Sequence, residues 1–307
     1  MQDKAEAMVL ASFTADSLAL GAHWIYDIDA IDRKFGRVEG LLKPLESSYH
    51  ATKDLGEFTH YGDQTLVLLE SIVASSGFDI DDFARRWKKL FETYNGYVDN
   101  ATKATLANFA SGKNPEESGS SSSDLAGAAR IAPLVYRYRN DLGQLLSSAK
   151  IQTAMTHDNP SVIDVSDFFA RVIWKVLEGE KPLSAIREVR EEHFRESLLG
   201  QWAAEGIESA RSDTRSAILK FGQSCDVERA FPSVVHLIGK YEGNLREALV
   251  ENVMAGGDSA ARGLVVGMIL GAHLGFEAIP GEWLSGLKRY RHIVDILERI
   301  RKAHNPS

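Results

Sequence analysis

Apolar residues recur at helical spacing through almost every long segment of this chain, and no segment bounded by turn residues alternates apolar and polar positions like a strand. Residues 5–21 are apolar on most sides, with one acid that reads as buried, Asp16, deep inside the run. A helix apolar all round belongs in a core. The spacing predicts further helices from near Asp63 through 66–74, and over 82–94, 141–155, 165–177, 182–195, 233–241, 245–253 and 261–274. In 82–94, Phe83, Trp87, Leu90 and Phe91 share a face between basic residues. The expected class is all-α: a compact multi-helix bundle with too many helices for a four-helix bundle. The main interruption is 114–124, with five Ser, two Glu, one Pro and one Gly. It reads as a flexible surface loop, but the patterns on its two sides are alike, so 1–307 is taken as one domain.

Composition narrows the partners. The net charge of −8 leaves no excess of Lys and Arg for a nucleic acid, although a local basic pocket for a small phosphorylated ligand is compatible with it. The single cysteine, Cys225, excludes an intramolecular disulfide and any multi-cysteine metal site. The opening Met-Gln-Asp-Lys-Ala-Glu lacks the order of a signal peptide, and the apolar run 264–276 is too short to span a bilayer and contains His273. No membrane partner is expected, and the expected location is cytoplasmic. The oligomeric state is not legible.

Five short segments carry chemistry. They are Asp16-Ser17-Leu18-Ala19-Leu20-Gly21 in the opening helix, His60-Tyr61-Gly62-Asp63-Gln64-Thr65, Gly127-Ala128-Ala129-Arg130-Ile131-Ala132-Pro133, Thr156-His157-Asp158-Asn159-Pro160, and Ala255-Gly256-Gly257-Asp258-Ser259-Ala260-Ala261-Arg262-Gly263. In this order, on a helical background, they resemble the ADP-ribosylglycohydrolase family. That family has Gly-Gly-Asp-Thr-Asp-Thr where this chain has Gly-Gly-Asp-Ser-Ala-Ala. The resemblance implies an all-helical domain whose site binds two magnesium ions and an ADP-ribosyl substrate. Asp63 and Asp258 are the implied metal positions that keep a carboxylate, whereas Gly62, Ala260 and Ala261 offer no side-chain oxygen. Hard divalent cations need several oxygen ligands. The expectation is therefore at most one magnesium ion, or none. His23-Trp24-Ile25-Tyr26-Asp27 and Phe221-Gly222-Gln223-Ser224-Cys225 also depart from the family pattern. They look like the branch that contains the J-type lens crystallins of jellyfish.

Each candidate also has an ordinary structural reading. Asp63 and Asp258 could be helix N-caps, or could share one pocket with Asp16 and act on water. Gln64 offers a carbonyl oxygen to a metal or ligand. Arg262, four residues after Asp258, could be a solvated surface pair, or could neutralise that carboxylate in place of a missing cation and hold phosphate. His23 and His157 are candidate ligand contacts, as is His60, although one His at a helix end is usually structural. Tyr61, Trp24 and Tyr26 could stack on a base or sugar, or pack in the core. The serine run, with Ser122 at its centre, and Ser259 are candidate phosphate or sugar contacts. Cys225 is either a small buried hydrophobe or a thiol activated at a helix start.

Three functions follow. The first is a divergent hydrolase of a ribosyl C–N or C–O bond in an ADP-ribose-like ligand, with Asp63 or Asp258 catalytic. The second is a catalytically silent, crystallin-like structural or ligand-binding protein. The third is a thiol-dependent enzyme using Cys225.

Overall fold

The computed structural model describes residues 4–304. Its centre is the opening helix α1 (Lys4–Leu20), buried at every residue from Ala5 to Leu20. Such a helix needs a partner as apolar as itself, and the chain supplies one near its other end. The Ser259–Leu274 helix is buried from Ser259 to Ala272 and packs along α1. Small residues permit the close approach. A Cβ at Gly267 would stand 2.5 Å from the Ala11 carbonyl oxygen, and one at Gly271 would stand 2.6 Å from the Ala11 Cβ. Two buried hydroxyls inside α1 are satisfied by carbonyls, Ser12 donating to Leu264 and Thr14 to Leu10, whereas that of Ser17 has no partner.

Around this pair the chain lays α2 (Ile28–Phe35), α3 (His60–Ala74), α4 (Ile80–Glu92), α5 (Asn100–Ala110), α6 (Ala126–Ala129), α7 (Ala132–Tyr138), α8 (Leu142–Ala154) and α9 (Pro160–Leu177). Then follow α10 (Pro182–Val189), α11 (Leu198–Ser209), α12 (Thr214–Phe221), α13 (Val227–Lys240), α14 (Leu245–Met254), α15 (Ser259–Leu274), α16 (Gly281–Gly286) and α17 (Tyr290–His304). Helices α3, α7 and α14 flank α1, while α9, α13 and α14 flank α15. Outer helices then cover these: α4 and α17 on α3, α8 and α10 on α9, α11 and α12 on α13. No strand occurs among the described residues. Two isolated bridges do occur, Ser120 with His157 and Asp124 with Asp226.

The helix starts follow local chemistry. Thr59, Asp99, Asp141, Asn159, Ser197 and Asn244 each accept a backbone N–H of the following turn, which is why helices begin there. Pro160 and Pro182 stand in first turns, where no amide hydrogen is needed. Three expectations change. Helix α3 is capped by Thr59 and starts at His60, so Asp63 lies in its first turn and is not the cap. The 182–195 helix ends at Val189 and continues as a π-turn over Arg190–Phe194. Segment 114–124 is no free linker: Ser118 and Ser120 are buried, donating to the Met155 and Thr156 carbonyls respectively.

Candidate functional site

Asp258 caps α15, its Oδ1 accepting the Ala261 N–H at 3.1 Å, so the capping reading holds. It is also fully buried, and its other oxygen accepts the Tyr61 hydroxyl at 3.1 Å. The same hydroxyl lies 3.5 Å from Asp124 Oδ2. Tyr61, from the first turn of α3, thus stands between two buried carboxylates that are far apart in sequence. Cys225 completes the group: oxygens of Asp124 and Asp258 and the Cys225 sulfur lie within 4.8 Å of one another. Burial drives both carboxyl pKa values up, and each acid's negative neighbourhood adds to this at Asp124. Burial also pushes up the Tyr61 and Cys225 groups, with Asp124 and Asp258 reinforcing it. That direction corrects the expectation of a helix-activated thiol, because the local field opposes the thiolate.

Three loops hold this group by backbone bonds. Trp24 N–H donates to the Gly257 carbonyl at 2.9 Å, Gly257 N–H to Ile25 at 2.9 Å, and Asp258 N–H to Gln223 at 2.9 Å. The Gln223 amide donates to the Ala255 and Tyr26 carbonyls. Gly256 and Gly257 both take left-handed φ, +69° and +66°, and a Cβ on Gly257 would collide with the Gln223 carbonyl oxygen. The Gly-Gly pair is therefore required where three chain segments meet. The serine run is stitched in as well: Leu125 N–H donates to Cys225 and Val227 N–H to Ser123, both at 2.8 Å. Ser122 Oγ accepts the Asp124 N–H at 3.2 Å, leaving its own hydroxyl hydrogen to donate.

Beside this group lies a cluster of imidazoles. His23 is buried, with Nδ1 3.9 Å from Asp258 Oδ1. Its ring stacks on Trp24, which also stacks on His50. Trp24 holds a left-handed φ of +62°, rare for a bulky residue and a mark of local strain. His60 Nε2 meets Asp99 Oδ2 at 3.1 Å. Burial lowers the His23 pKa well below its usual value and His50 to about 3, so both rings are neutral near pH 7.

The other sequence candidates have other partners. Asp63 Oδ2 accepts from the Lys53 ammonium at 2.5 Å and from the Tyr94 hydroxyl at 2.6 Å. A lysine cation thus sits on that carboxylate. Asp16 is fully buried, accepts the Thr59 N–H and hydroxyl, and has its pKa raised by burial to about 6. Gln64 is consumed: its carbonyl oxygen accepts from Trp87 and Arg130, both at 2.7 Å, and its amide donates to the His60 carbonyl. This corrects its assignment as a free carbonyl for a metal or ligand. Arg130 also donates to Gln152 and Thr156, and Thr156 Oγ1 lies 2.9 Å from His157 Nδ1. His157 is buried on this arginine network, with Nε2 unbonded. Ser259 is buried with its hydroxyl unbonded.

Arg262 corrects two expectations. It is completely buried, so it is no solvated surface pair. It also does not bond Asp258; it donates to Asn252 Oδ1 at 3.0 Å and to the Asn252 and Gly256 carbonyls. Its charge reaches Asp258 only through space. Sequence reasoning missed Asp124, whose one signal was an acid closing the serine run ahead of Gly127. It also missed Lys53 and His50, for which no local signal existed. A surface cleft of about 840 Å³ between α11, α12 and α13, lined by Trp202, Lys220 and Arg229 among others, contains none of these residues.

Comparison with known proteins matches the chain to relatives along nearly its whole length. The chain is similar to Crystallin J1A of Tripedalia cystophora, 24% identical over 98% of this chain and 97% of that protein. It is similar to Crystallin J1B of the same animal, 23% identical over 98% and 97%. An uncharacterized protein of Archaeoglobus fulgidus is 27% identical over 99% and 98%. A solved structure described as an ADP-ribosylglycohydrolase-related protein complex shares the fold, with a TM-score of 0.77 at 21% identity over 99% of each chain. The family pattern described as ADP-ribosylglycohydrolase matches residues 1–306, and the chain belongs to that family.

Proposed function

We propose that this protein hydrolyses a ribosyl C–N or C–O glycosidic bond in an ADP-ribose-like ligand. The observation that carries the reading is the pair of buried carboxylates, Asp124 and Asp258, held on either side of the Tyr61 hydroxyl. Cleavage of such a bond passes through an oxocarbenium-like state, and fixed carboxylates in a dry pocket stabilise that positive charge more strongly than carboxylates in water. In this reading Asp258 orients and deprotonates the attacking water, Asp124 faces the developing charge, and Tyr61 keeps the two in register. Ser122 has a hydroxyl hydrogen to offer an anionic oxygen of the ligand. Arg262 spends Nε and Nη2 on Asn252 and Gly256, while its buried Nη1 has no partner.

The dinuclear magnesium centre implied by the family does not fit these residues. Gly62, Ala260 and Ala261 supply no oxygen, and Lys53 occupies Asp63. Magnesium demands near-octahedral oxygen coordination, so no step is assigned to a magnesium pair. Turnover is expected to be indifferent to added magnesium.

The test is release of ADP-ribose from N- and O-linked ADP-ribosyl substrates, with ADP-ribose binding by calorimetry. Asp258→Asn and Asp124→Asn are each expected to lower turnover by at least about 100-fold. The similarity to two crystallins over nearly their whole length favours a second reading, a silent structural relative. Folded wild-type protein that neither binds ADP-ribose nor cleaves any of these substrates would establish that second reading.

A further inference from the structure

The donors gathered around Tyr61 differ in kind from those of a magnesium site. Cys225 brings a sulfur atom, Asp124 and Asp258 bring oxygens, and all three lie within 4.8 Å of one another. They arrive on three segments fixed by the backbone bonds Leu125–Cys225, Val227–Ser123 and Asp258–Gln223. Neither acid forms an ion pair with a lysine or arginine among the described residues; the nearest basic group is His23.

His23 gives a second, independent sign. Its side chain is wholly buried, and its Nδ1 stands 3.9 Å from Asp258 Oδ1. That nitrogen takes the Ala260 N–H at 3.4 Å as an acceptor. At 3.9 Å, His23 and Asp258 are not hydrogen-bonded to each other. The His23 Nε2 is buried without a hydrogen-bond partner, and so is the Ser259 hydroxyl beside Asp258. The Arg262 Nη1 is likewise buried without a partner, and buried polar atoms in native folds are nearly always satisfied, so such a concentration marks a place where a ligand is missing.

We propose that Asp124, Cys225 and Asp258 form a mononuclear site for a thiophilic divalent cation of the zinc class. Cys225 binds as the thiolate, the two acids each give an oxygen, and a fourth position stays open for water. Zinc–sulfur and zinc–oxygen bonds of about 2.3 and 2.1 Å around a tetrahedral ion place ligand atoms about 3.5 Å apart, so the present group needs to contract by only about 1 Å. On binding, the thiol proton leaves to solvent and the sulfur–metal bond forms in its place; nothing is oxidised or reduced. An ion there polarises its bound water, which then takes over the base's role in any hydrolysis run in this pocket. The site occupies the pocket proposed above but does not rest on glycosidic cleavage, and its test uses no substrate.

Full-length protein stripped with a chelator is titrated with Co²⁺ and followed by absorption. Binding through Cys225 gives a near-ultraviolet sulfur-to-cobalt charge-transfer band with intense visible bands of tetrahedral cobalt. Equimolar Zn²⁺ is expected to abolish both, and millimolar Mg²⁺ to leave both. Cys225→Ser should lose the charge-transfer band, and Asp124→Asn and Asp258→Asn should weaken affinity at least about 10-fold. A second measurement covers variants that fail to fold: in wild type, Zn²⁺ should slow modification of the single thiol by a disulfide reagent, and chelator should restore it. The absence of both a charge-transfer band and zinc protection in wild type overturns the proposal. So does a folded Cys225→Ser protein that binds cobalt as tightly as wild type, since that ion sits elsewhere.

Discussion

Arg262 has a different task from the one its spacing suggests. Four residues separate it from Asp258, yet the guanidinium turns away to hold the Asn252 side chain and the Asn252 and Gly256 carbonyls. It thereby braces the turn in which Gly256 and Gly257 bring Asp258 to the pocket. Arg262→Ala would leave buried acceptors unpaired and a void in their midst. The expected loss is about 3–5 kcal/mol in urea unfolding. Arg262→Lys should recover little, because one ammonium cannot reproduce a planar fork. Magnesium should rescue neither variant. An alanine variant within about 1 kcal/mol of wild type would show the bracing to be unimportant. Asp258 was legible in the sequence because a capping acid after Gly-Gly leaves a local pattern. Asp124 was not, because its value lies in meeting Tyr61 and Cys225, contacts made only by the fold. Lys53 was hidden for the same reason: nothing in 50–53 announces that its ammonium will close on Asp63.

At the scale of elements, the long apolar helices were the readable part, while the 15-residue amphipathic α17 was not read. Residues 5–21 and 261–274 are apolar enough to identify themselves, and they are the central pair. The short helices α11 and α12 were not read, because their buried sets are small: Leu199, Gly200, Ala203 and Gly206 in one, Thr214, Ala217 and Ile218 in the other. Their joint with α13 is nevertheless specific. His236 in α13 is buried, its Nδ1 2.8 Å from the Ser209 hydroxyl of α11 and its Nε2 3.2 Å from the Thr214 hydroxyl of α12. Burial is the main cause that lowers its pKa from 6.5 to about 4. The folded ring is therefore neutral, while the unfolded ring takes a proton below pH 6.5. The stability it contributes is present above that pH and is lost as pH falls from about 6.5 to about 4. A shift of that size amounts to about 3 kcal/mol at most. Urea unfolding between pH 7.5 and 4.5 should show wild type losing more stability than His236→Asn, by about 1 kcal/mol per pH unit over the window. Parallel curves for the two proteins would mean that His236 titrates in the fold as it does in the unfolded chain.

The whole molecule joins its two ends through one core. Nearly all the buried apolar residues described form a single connected cluster running from Ala5 to Ile300, and the site draws on His23, Tyr61, Asp124, Cys225 and Asp258, spread over most of that length. No stretch of the chain holds the pocket alone, because α1 without α15 would expose an all-apolar surface and α15 without the 23–26 and 223–225 loops would lose the position of Asp258. One domain over 1–307 follows as a proposal with a thermodynamic consequence. The five tryptophans sample the fold widely: Trp24 at the site, Trp87 and Trp283 in the core, Trp174 and Trp202 packed against it. Equilibrium unfolding in urea should therefore give one transition, with tryptophan fluorescence and far-ultraviolet circular dichroism superimposing. A ligand that binds only the assembled pocket should move both signals together, raising stability by about 2.7 kcal/mol at 100 times its Kd. Separate midpoints for the two signals, or a ligand shift seen by Trp24 alone in a variant lacking the other tryptophans, would mean that the pocket loops melt apart from the helical core. In that event the 1–307 unit would divide into a stable helical frame and a separately ordered site.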